Sequence, residues 1–558
     1  MSSRLRSAAL ALLLALAGCG GEGGVLELAM LGQPGPWPWC SRLIGFDGRL
    51  WFANSSLGVQ HNSADVYSYD PRSGALRYER QLFSQAAGRP AVAGGRLYWP
   101  HDDSRFHVEL GHYSVTDGVR WALHALPEPP ILHLSAFLAD GERLVAAAAH
   151  AHPILLASDD GGTTWQTRVA ERRGAPGNAR LVRAALLDGR VFADFTLDLR
   201  RREGRRLVQE RDGALASVPG WPADRQILAL ERFGPFLWAV LEELGGRGVW
   251  RTDGTHTERI GEGPPCARLR DLTTDGDALW ALCGEADGGS VWLSHDARRW
   301  QPHARLSGGW PHELHLFEGA PYVGGRAADA RGALWGPPPT PERGPQRTGA
   351  VPRPLTPPPE PPDASDPAWV RVRAELVAAL ADPASYADDA RPLRDRVLAV
   401  ARAGPPPELL AGLLDAPVPA GPAGPSGIAA GSRRETAHWL LLWGTALSGG
   451  RGVPPQLLSG PWREAPREEE KYVNATLGAL AAVGGGGQRD PATLEALVTR
   501  LGAPGDPDWL QGDVVGALSA ATGQPFGYDP EAWRRWWRSH AGSDVGASRG
   551  RAPDAPVP

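Results

Sequence analysis

Apolar and polar residues alternate with a period of two over the first three-fifths of the chain, and a glycine turn interrupts the alternation at regular intervals. The turn and the apolar strand after it recur as DGRLWFA at Asp47, GGRLYWP at Gly94, DGERLVA at Asp140, DGRVFAD at Asp188, GPFLWAV at Gly234, DGDALWALC at Asp275 and EGAPYVG at Glu318. Successive copies lie 47, 46, 48, 46, 41 and 43 residues apart. A second landmark, built around aspartate or its remnants, follows most of them: VYSYDPRSGALRY from Val66, GHYSVTDGVRW from Gly111, LLASDDGGTTW from Leu155, LVQERDGAL from Leu207, VWRTDGTHT from Val249 and VWLSHDARRW from Val291, with a truncated ALWG at Ala333. Each unit reads as four short strands, the first hairpin turning at the glycine landmark and the last at the aspartate landmark.

Seven units of four strands resemble a seven-bladed β-propeller, expected over residues 25–336. The seventh unit runs into prolines before its outer strand. The apolar segment 25–31, VLELAML, is therefore expected to supply that strand and to close the ring, which removes free sheet edges. Trp51, Trp99, Trp238 and Trp280 fall in second strands and Trp250, Trp292 and Trp335 in third strands, where large aromatics fill the wedge between radiating sheets. A carbohydrate-stacking platform is the other reading of these tryptophans.

Beyond residue 336 the pattern changes. Residues 337–365 form a proline-rich linker, expected as a polyproline spacer that separates two bodies. From 366 to 541 the apolar period becomes 3.6, as in AWVRVRAELVAAL from Ala368, ARPLRDRVLAVARAG from Ala390, ETAHWLLLWGTAL from Glu435 and WLQGDVVGALSAATG from Trp509. Asp366, Asp490, Asp506 and Asp529 each precede a proline and read as helix N-caps. Helix pairs with short connections resemble a HEAT-like array, interrupted by the Gly/Pro segment 417–431. The closing stretch TGQPFGYDPEAWRRWW is similar to the ending of HEAT-repeat proteins of bacterial envelopes. Its Trp533, Trp536 and Trp537 share one helix face, which would cap the array or, alternatively, present a peptide-binding patch. Residues 542–558 read as a disordered tail.

The first residues give the cellular address. Arg4 and Arg6 precede an apolar run whose ten residues cover about 15 Å at 1.5 Å each, too short for a hydrocarbon core of about 30 Å. LAGC, ending at Cys19, resembles the lipobox of bacterial lipoproteins. The resemblance implies a signal peptide over 1–18, lipidation of Cys19, a glycine-rich tether over 19–24 and anchoring in the cell envelope. Gly20 favours the outer membrane. The net charge of −5 favours no nucleic acid partner. Only Lys471 among the 58 basic residues is a lysine, a compositional bias rather than a recognition device.

Residues 158–165, SDDGGTTW, match the Asp-box of sialidases and of many non-catalytic propellers. Its residues Ser158, Asp160, Gly162, Thr164 and Trp165 describe a turn: Asp160 accepts backbone hydrogen bonds, Gly162 takes a positive φ, and Trp165 packs back on the sheet. A sialidase would further need an arginine cluster, a Tyr/Glu nucleophile pair and an early Arg-Ile-Pro, and SRLIGF around Arg42 lacks that tripeptide. The pairs His150/His152 and His312/His315 bring no third metal ligand, so no metal or cofactor is expected. Cys266 and Cys283 flank a turn at Thr274 and Asp275, which sets them opposite each other on neighbouring strands as a disulfide and leaves Cys40 unpaired. Arg200, Arg201, Arg202, Arg205 and Arg206 form a run that reads as a solvated connection or an anion patch. Together these features lead us to expect a lipid-anchored envelope binding or scaffold protein, similar in fold to Asp-box propellers of the photosystem-assembly-factor type, with an envelope protein or glycan as partner. The competing expectation is a glycan hydrolase or lyase working in the propeller channel.

Overall fold

A computed structural model describes residues 25–541 apart from 57–63, 105–110, 127–130, 132, 150–151, 171–178, 198–203, 244–245, 340–351, 356–359, 424–431 and 461–474. The lipobox with Cys19, most of the arginine run and the C-terminal tail lie outside the described residues.

The β half opens with two short strands, β1 (Leu26–Glu27) and β2 (Ala29–Gly32). A four-stranded sheet follows, β3 (Trp39–Phe46), β4 (Arg49–Ser55), β5 (Asp65–Tyr69) and β6 (Leu76–Gln81). The next sheet has nine strands: β7 (Ser84–Ala87), β8 (Ala91–Ala93), β9 (Arg96–Ser104), β10 (His112–Thr116), β11 (Trp121–Ala125), β12 (His133–Asp140), β13 (Arg143–Ala149), β14 (Pro153–Ser158) and β15 (Gln166–Ala170). Its two lobes meet at His133 with Asp102, between β12 and β9, and at a parallel bridge between Arg89 and Ala136. Two more four-stranded sheets are β16 (Arg180–Leu187), β17 (Arg190–Thr196), β18 (Arg206–Arg211) and β19 (Ala214–Ser217), then β20 (Ile227–Phe233), β21 (Phe236–Glu243), β22 (Gly246–Thr252) and β23 (Thr257–Gly261). The ring ends with β24 (Arg268–Thr274), β25 (Leu279–Glu285), β26 (Gly288–Ser294) and β27 (Gln301–Ser307), then β28 (Gly309–Phe317), β29 (Ala320–Ala327) and β30 (Gly332–Gly336).

This is a β-propeller. The first strands lie side by side around an axis: β12 beside β16, β16 beside β20, β20 beside β24, β24 beside β28, and β28 beside β3. The inner hairpins are tight because Asp188 and Gly189 take φ of 50° and 72°, the left-handed pair that a two-residue hairpin of the right twist demands. Apolar side chains from facing sheets then fill the wedges. Trp51, Trp99 and Trp335 are fully buried there, while Trp250 and Trp292 are half-buried.

The N-terminal segment departs from the single closing strand read in the sequence. It splits at Leu28: β1 runs parallel to β27, and β2 runs antiparallel to β30 with Ala29 opposite Gly336. Leu28 is buried in the wedge with Trp280 and Trp335, and its amide donates to the Arg305 carbonyl at 2.8 Å. Burial of that one leucine turns the strand into a strap across two sheets.

Among the described residues the C-terminal region holds eight α-helices: α1 (Pro367–Ala381), α2 (Ala387–Arg402), α3 (Arg433–Leu447), α4 (Pro455–Leu458), α5 (Ala475–Gly486), α6 (Pro491–Arg500), α7 (Asp508–Thr522) and α8 (Pro530–His540). No helix among these residues is long and apolar enough to cross a membrane. Asp366, Asp490 and Asp529 cap α1, α6 and α8 as their Asp-Pro pairs suggest. Asp506 does not cap α7. Its carboxylate is taken by Arg500 at 2.9 Å, a nearly buried ion pair, and the helix starts two residues later. Trp533 and Trp536 are buried in the last helix of this region, with Trp536 stacked on His540, while Trp537 is partly buried.

The linker does not hold the halves apart. The Arg353 amide donates to the Gly95 carbonyl at 2.8 Å, the Leu355 amide to Asp117 Oδ2 at 2.9 Å, and the Leu355 side chain joins the core beneath β10 and β12. An extended chain rich in proline leaves its few amides free for such contacts with a neighbouring surface. It thereby delivers the helices to the propeller rim, where α7 lies on β6 and α3 reaches β11. The approach requires glycine: a Cβ on Gly516 would fall 2.5 Å from the Gln81 Cβ. Tyr528, within the closing FGYD stretch, donates its hydroxyl to Asp65 Oδ2 at 2.6 Å. That stretch therefore ties the helical region to the propeller.

Candidate functional site

Six first strands carry a β-bulge near their start, at Ser41/Ile44, Leu134/Ala136, Leu181/Arg183, Ile227/Ala229, Leu269/Asp271 and Pro311/Glu313. A bulge re-aims side chains out of the strict alternation of a strand. Here it lets Arg42, Arg183, Asp271 and Glu313 face the axis. Arg89 joins them from the connection between β7 and β8, where its amide and carbonyl pair with Ser135 and Phe137. Its guanidinium meets Glu231 Oε2 at 3.2 Å. Glu231 lies on β20, whose neighbours are β16 and β24, so this ion pair crosses the axis rather than joining adjacent sheets.

The acids of this belt hold the sheets to one another. Glu313 accepts the amides of Arg42 and Leu43 at 2.8 and 2.9 Å, binding the last sheet to the first. Asp271 accepts from the amides of Leu272 and Leu314, both at 2.9 Å, and so ties its sheet to the next. His315 Nε2 accepts from the Gly45 amide at 3.1 Å. Hydrogen bonds to charged groups are each worth about 1.5–3 kcal/mol, which accounts for the left-handed φ of 61° at Arg42, a conformation costing roughly 1–2 kcal/mol.

Burial and the nearby Glu313 charge push the Asp271 carboxyl up to about 7, against the pull of its two amide bonds and Arg89. Burial brings His312 and His315 down to about 4, so both imidazoles are neutral at pH 7. Burial opposes the charge on Arg89, yet Glu231, Glu313 and Asp271 outweigh it and hold that guanidinium above its ordinary value. Cys40 is fully buried, and its thiol is pushed up by burial and then by Glu313, which leaves it protonated and inert.

The Asp-box lies far from this belt, in the outer hairpin between β14 and β15. Asp160 Oδ1 accepts the Thr164 amide at 2.8 Å and the Ser158 hydroxyl at 2.8 Å, and Oδ2 accepts the Thr164 hydroxyl at 2.6 Å. Trp165 packs against Phe137 and Tyr113, while Tyr98 and Tyr113 donate to the carbonyls of Gly161 and Gly162. The box pins one lobe of the nine-stranded sheet to the other. It presents no free acid to a substrate.

Cys266 and Cys283 form a disulfide with Cα atoms 5.9 Å apart. Cys266 precedes β24 instead of lying within it, and Cys283 pairs in register with Leu269. Of the arginine run only Arg205 and Arg206 fall within the described residues: Arg205 is buried near Asp194 and Arg183, and Arg206 lies over the Phe195 ring at 4.5 Å. His150 lies outside the described residues and His152 is half-buried. No group of three metal-ligating side chains occurs among the described residues.

Arg89, Glu231, Asp271 and Glu313 escaped the sequence reading. Asp271 and Glu313 each stand directly before a leucine of their first strand, in RLRDL and PHELH, which is the one local signal that they carry.

Comparison with known proteins adds a partial family match. Residues 31–227 match the family described as outer membrane protein assembly factor BamB. No curated protein matches the chain in sequence. Among solved structures, YCF48 from Cyanidioschyzon merolae is 14% identical, with 56% of this chain and 99% of that one aligned at a TM-score of 0.39. Regucalcin from Agrobacterium tumefaciens is 14% identical over 47% of this chain and 93% of that one, at 0.33. A sialidase of Trypanosoma rangeli is 12% identical over 47% and 56%, at 0.29.

Proposed function

We propose that this chain is a lipid-anchored protein of the bacterial envelope that binds and organises other envelope components without catalysis. In this reading Cys19 carries the lipid, the outer membrane is the site, and the nine-stranded sheet counts as two blades of a seven-bladed ring. The helical region is a short HEAT-like array that forms one body with the ring. The partial match to an outer-membrane assembly factor family supports a protein partner in the same compartment.

One observation carries the non-catalytic part. The carboxylate oxygens of Glu313 and Asp271 all accept backbone amides, and the Glu231 carboxylate is paired with Arg89. A general acid or base must instead reach a proton on its substrate. The test pairs affinity capture from envelope extract, using the chain from Gly20 onward, with assays on a panel of envelope glycans. Recovery of a defined partner with no glycan turnover is the expected result, and Cys19→Ala should release the full chain from the membrane fraction.

A second reading, an envelope glycan hydrolase or lyase, draws on the raised Asp271 carboxyl beside Glu313. Glycan turnover that Asp271→Asn abolishes would establish it and overturn the scaffold.

A further inference from the structure

Among the described residues Arg42, Arg183, Arg205, Arg247, Arg268 and Arg270 face no carboxylate within 4 Å, and Arg42 and Arg183 reach only the carbonyls of Ala87 and Ile227. All six lie at one end of the ring. Arg42 and Arg270 sit in the bulges of β3 and β24, Arg183 follows the bulge of β16, and Arg268 opens β24. Arg205 precedes β18 beside the end of β17, and Arg247 lies in β22 opposite Glu242 at the end of β21. The first strands start at this face, so the six guanidinium groups gather around one mouth of the channel.

They act on one another and on a common neighbour, since the His312 ring at the start of β28 is influenced by Arg42, Arg183 and Arg270 together. Arg183 is lowered by burial and then, against Asp194 and Asp271, by Arg42 and Arg205. Arg270 is lowered by burial and by Arg268, and Arg247 by burial and by both of these, against Glu242. The Nε atoms of Arg205 and Arg270 are buried without any hydrogen-bond acceptor. Both carboxylate oxygens of the buried Asp194 likewise lack a partner. A guanidinium with a donor unused can take a carboxylate or other anion that reaches it.

We propose that this mouth is a docking site for an acidic polypeptide segment, whose carboxylates pair with the six arginines. The six draw on four sheets of the ring, and neighbouring sheets pack about 10 Å apart, so a single phosphate cannot reach them all. Asp194, Asp271 and Glu242 are interspersed among the arginines. They would repel a uniformly charged polyanion, whereas a peptide can set its own amides against them and its acidic side chains against the arginines. Trp310, 38% exposed with Arg326 stacked 5.5 Å from its ring, adds an apolar contact at the same end of β28. The inference deepens the scaffold reading and rests on it in treating the channel as a binding site.

The experiment titrates a fluorescent peptide of six Glu-Ala repeats with the full chain by anisotropy at two salt concentrations. Combined Arg247→Gln, Arg268→Gln and Arg270→Gln should weaken binding about tenfold and flatten its salt dependence. Arg211→Gln with Arg232→Gln, exposed arginines elsewhere, should leave both unchanged. Arg268→Gln alone, at an exposed position, should weaken binding by roughly twofold and serves if the triple variant unfolds. Absence of saturable binding by the parent, or equal binding by the triple and parent chains, overturns the proposal. So does polygalacturonate binding more tightly than the peptide, which would reassign the mouth to an acidic glycan. None of these outcomes bears on glycan turnover or membrane release, so failure here is distinguishable from failure of the scaffold reading.

Discussion

Aspartates at the outer hairpins of the ring and aspartates in its interior use the same carboxylate to opposite ends. Asp160 is exposed, accepts bonds only from residues within four positions of itself, and those bonds bring its carboxyl down to about 2. Asp253 is lowered in the same way by Thr255 and His256. Asp65 is fully buried between the propeller and the helices, accepts from Trp37, Gln81 and Tyr528, and has no cation beside it. Burial pushes it up to about 7, despite those bonds and with help from Asp513. The turn aspartates shape their own loop, while Asp65 and Asp271 report on how distant parts of the chain meet.

Removing Asp65 should separate the two groups most sharply. Asp65→Ala leaves the donors of Trp37, Gln81 and Tyr528 buried and unsatisfied, and urea unfolding should show a loss of about 4 kcal/mol. A loss no larger than that of a turn variant would break the comparison. Replacing Cys266 and Cys283 by serine calibrates the scale, because releasing a crosslink across 17 residues costs about 3 kcal/mol independently of either group.

The pH dependence sharpens the comparison next. Asp65 titrates higher folded than unfolded, so the stability it contributes is fully present below about pH 4 and is lost as pH rises through about 7. His312 and His315, lowered by burial, titrate in the opposite sense over part of this window. The Asp65 share is therefore read as the parent minus Asp65→Asn, and that difference should fall by roughly 2 kcal/mol between about pH 5 and pH 7. The smallest effect belongs to Asp160→Ala, about 1 kcal/mol at pH 7 because water replaces the lost bonds. Its contribution is present above about pH 4 and disappears as pH falls through about 2. A flat acid limb would show that the Asp-box carboxylate does not matter to stability.

The propeller and the helical region were readable because each element announces itself over a few residues. Asp188–Gly189 specifies a hairpin, Asp490-Pro491 a helix start, and the Asp-box a turn that closes on itself. The Asp506 cap failed because Arg500, on the preceding helix, competes for the same carboxylate. The linker was misread for a related reason: its composition describes its stiffness and says nothing about the Gly95 carbonyl or Asp117 that hold it down. At the candidate site, Arg89 and Glu231 stand 142 residues apart and no local pattern couples them.

Taken alone, the chain determined where its strands, hairpins and helices begin, since backbone preferences and near-neighbour hydrogen bonds settle those within a turn or two. Tertiary structure decided which charges are buried and what they face. Tyr528 reaches Asp65 across 463 residues, and Leu28 finds its wedge only once the ring has closed. Desolvation depends on everything packed around a group, so the acidity of Asp65, the Arg89–Glu231 pair and the gathering of arginines at the channel mouth exist only in the folded molecule.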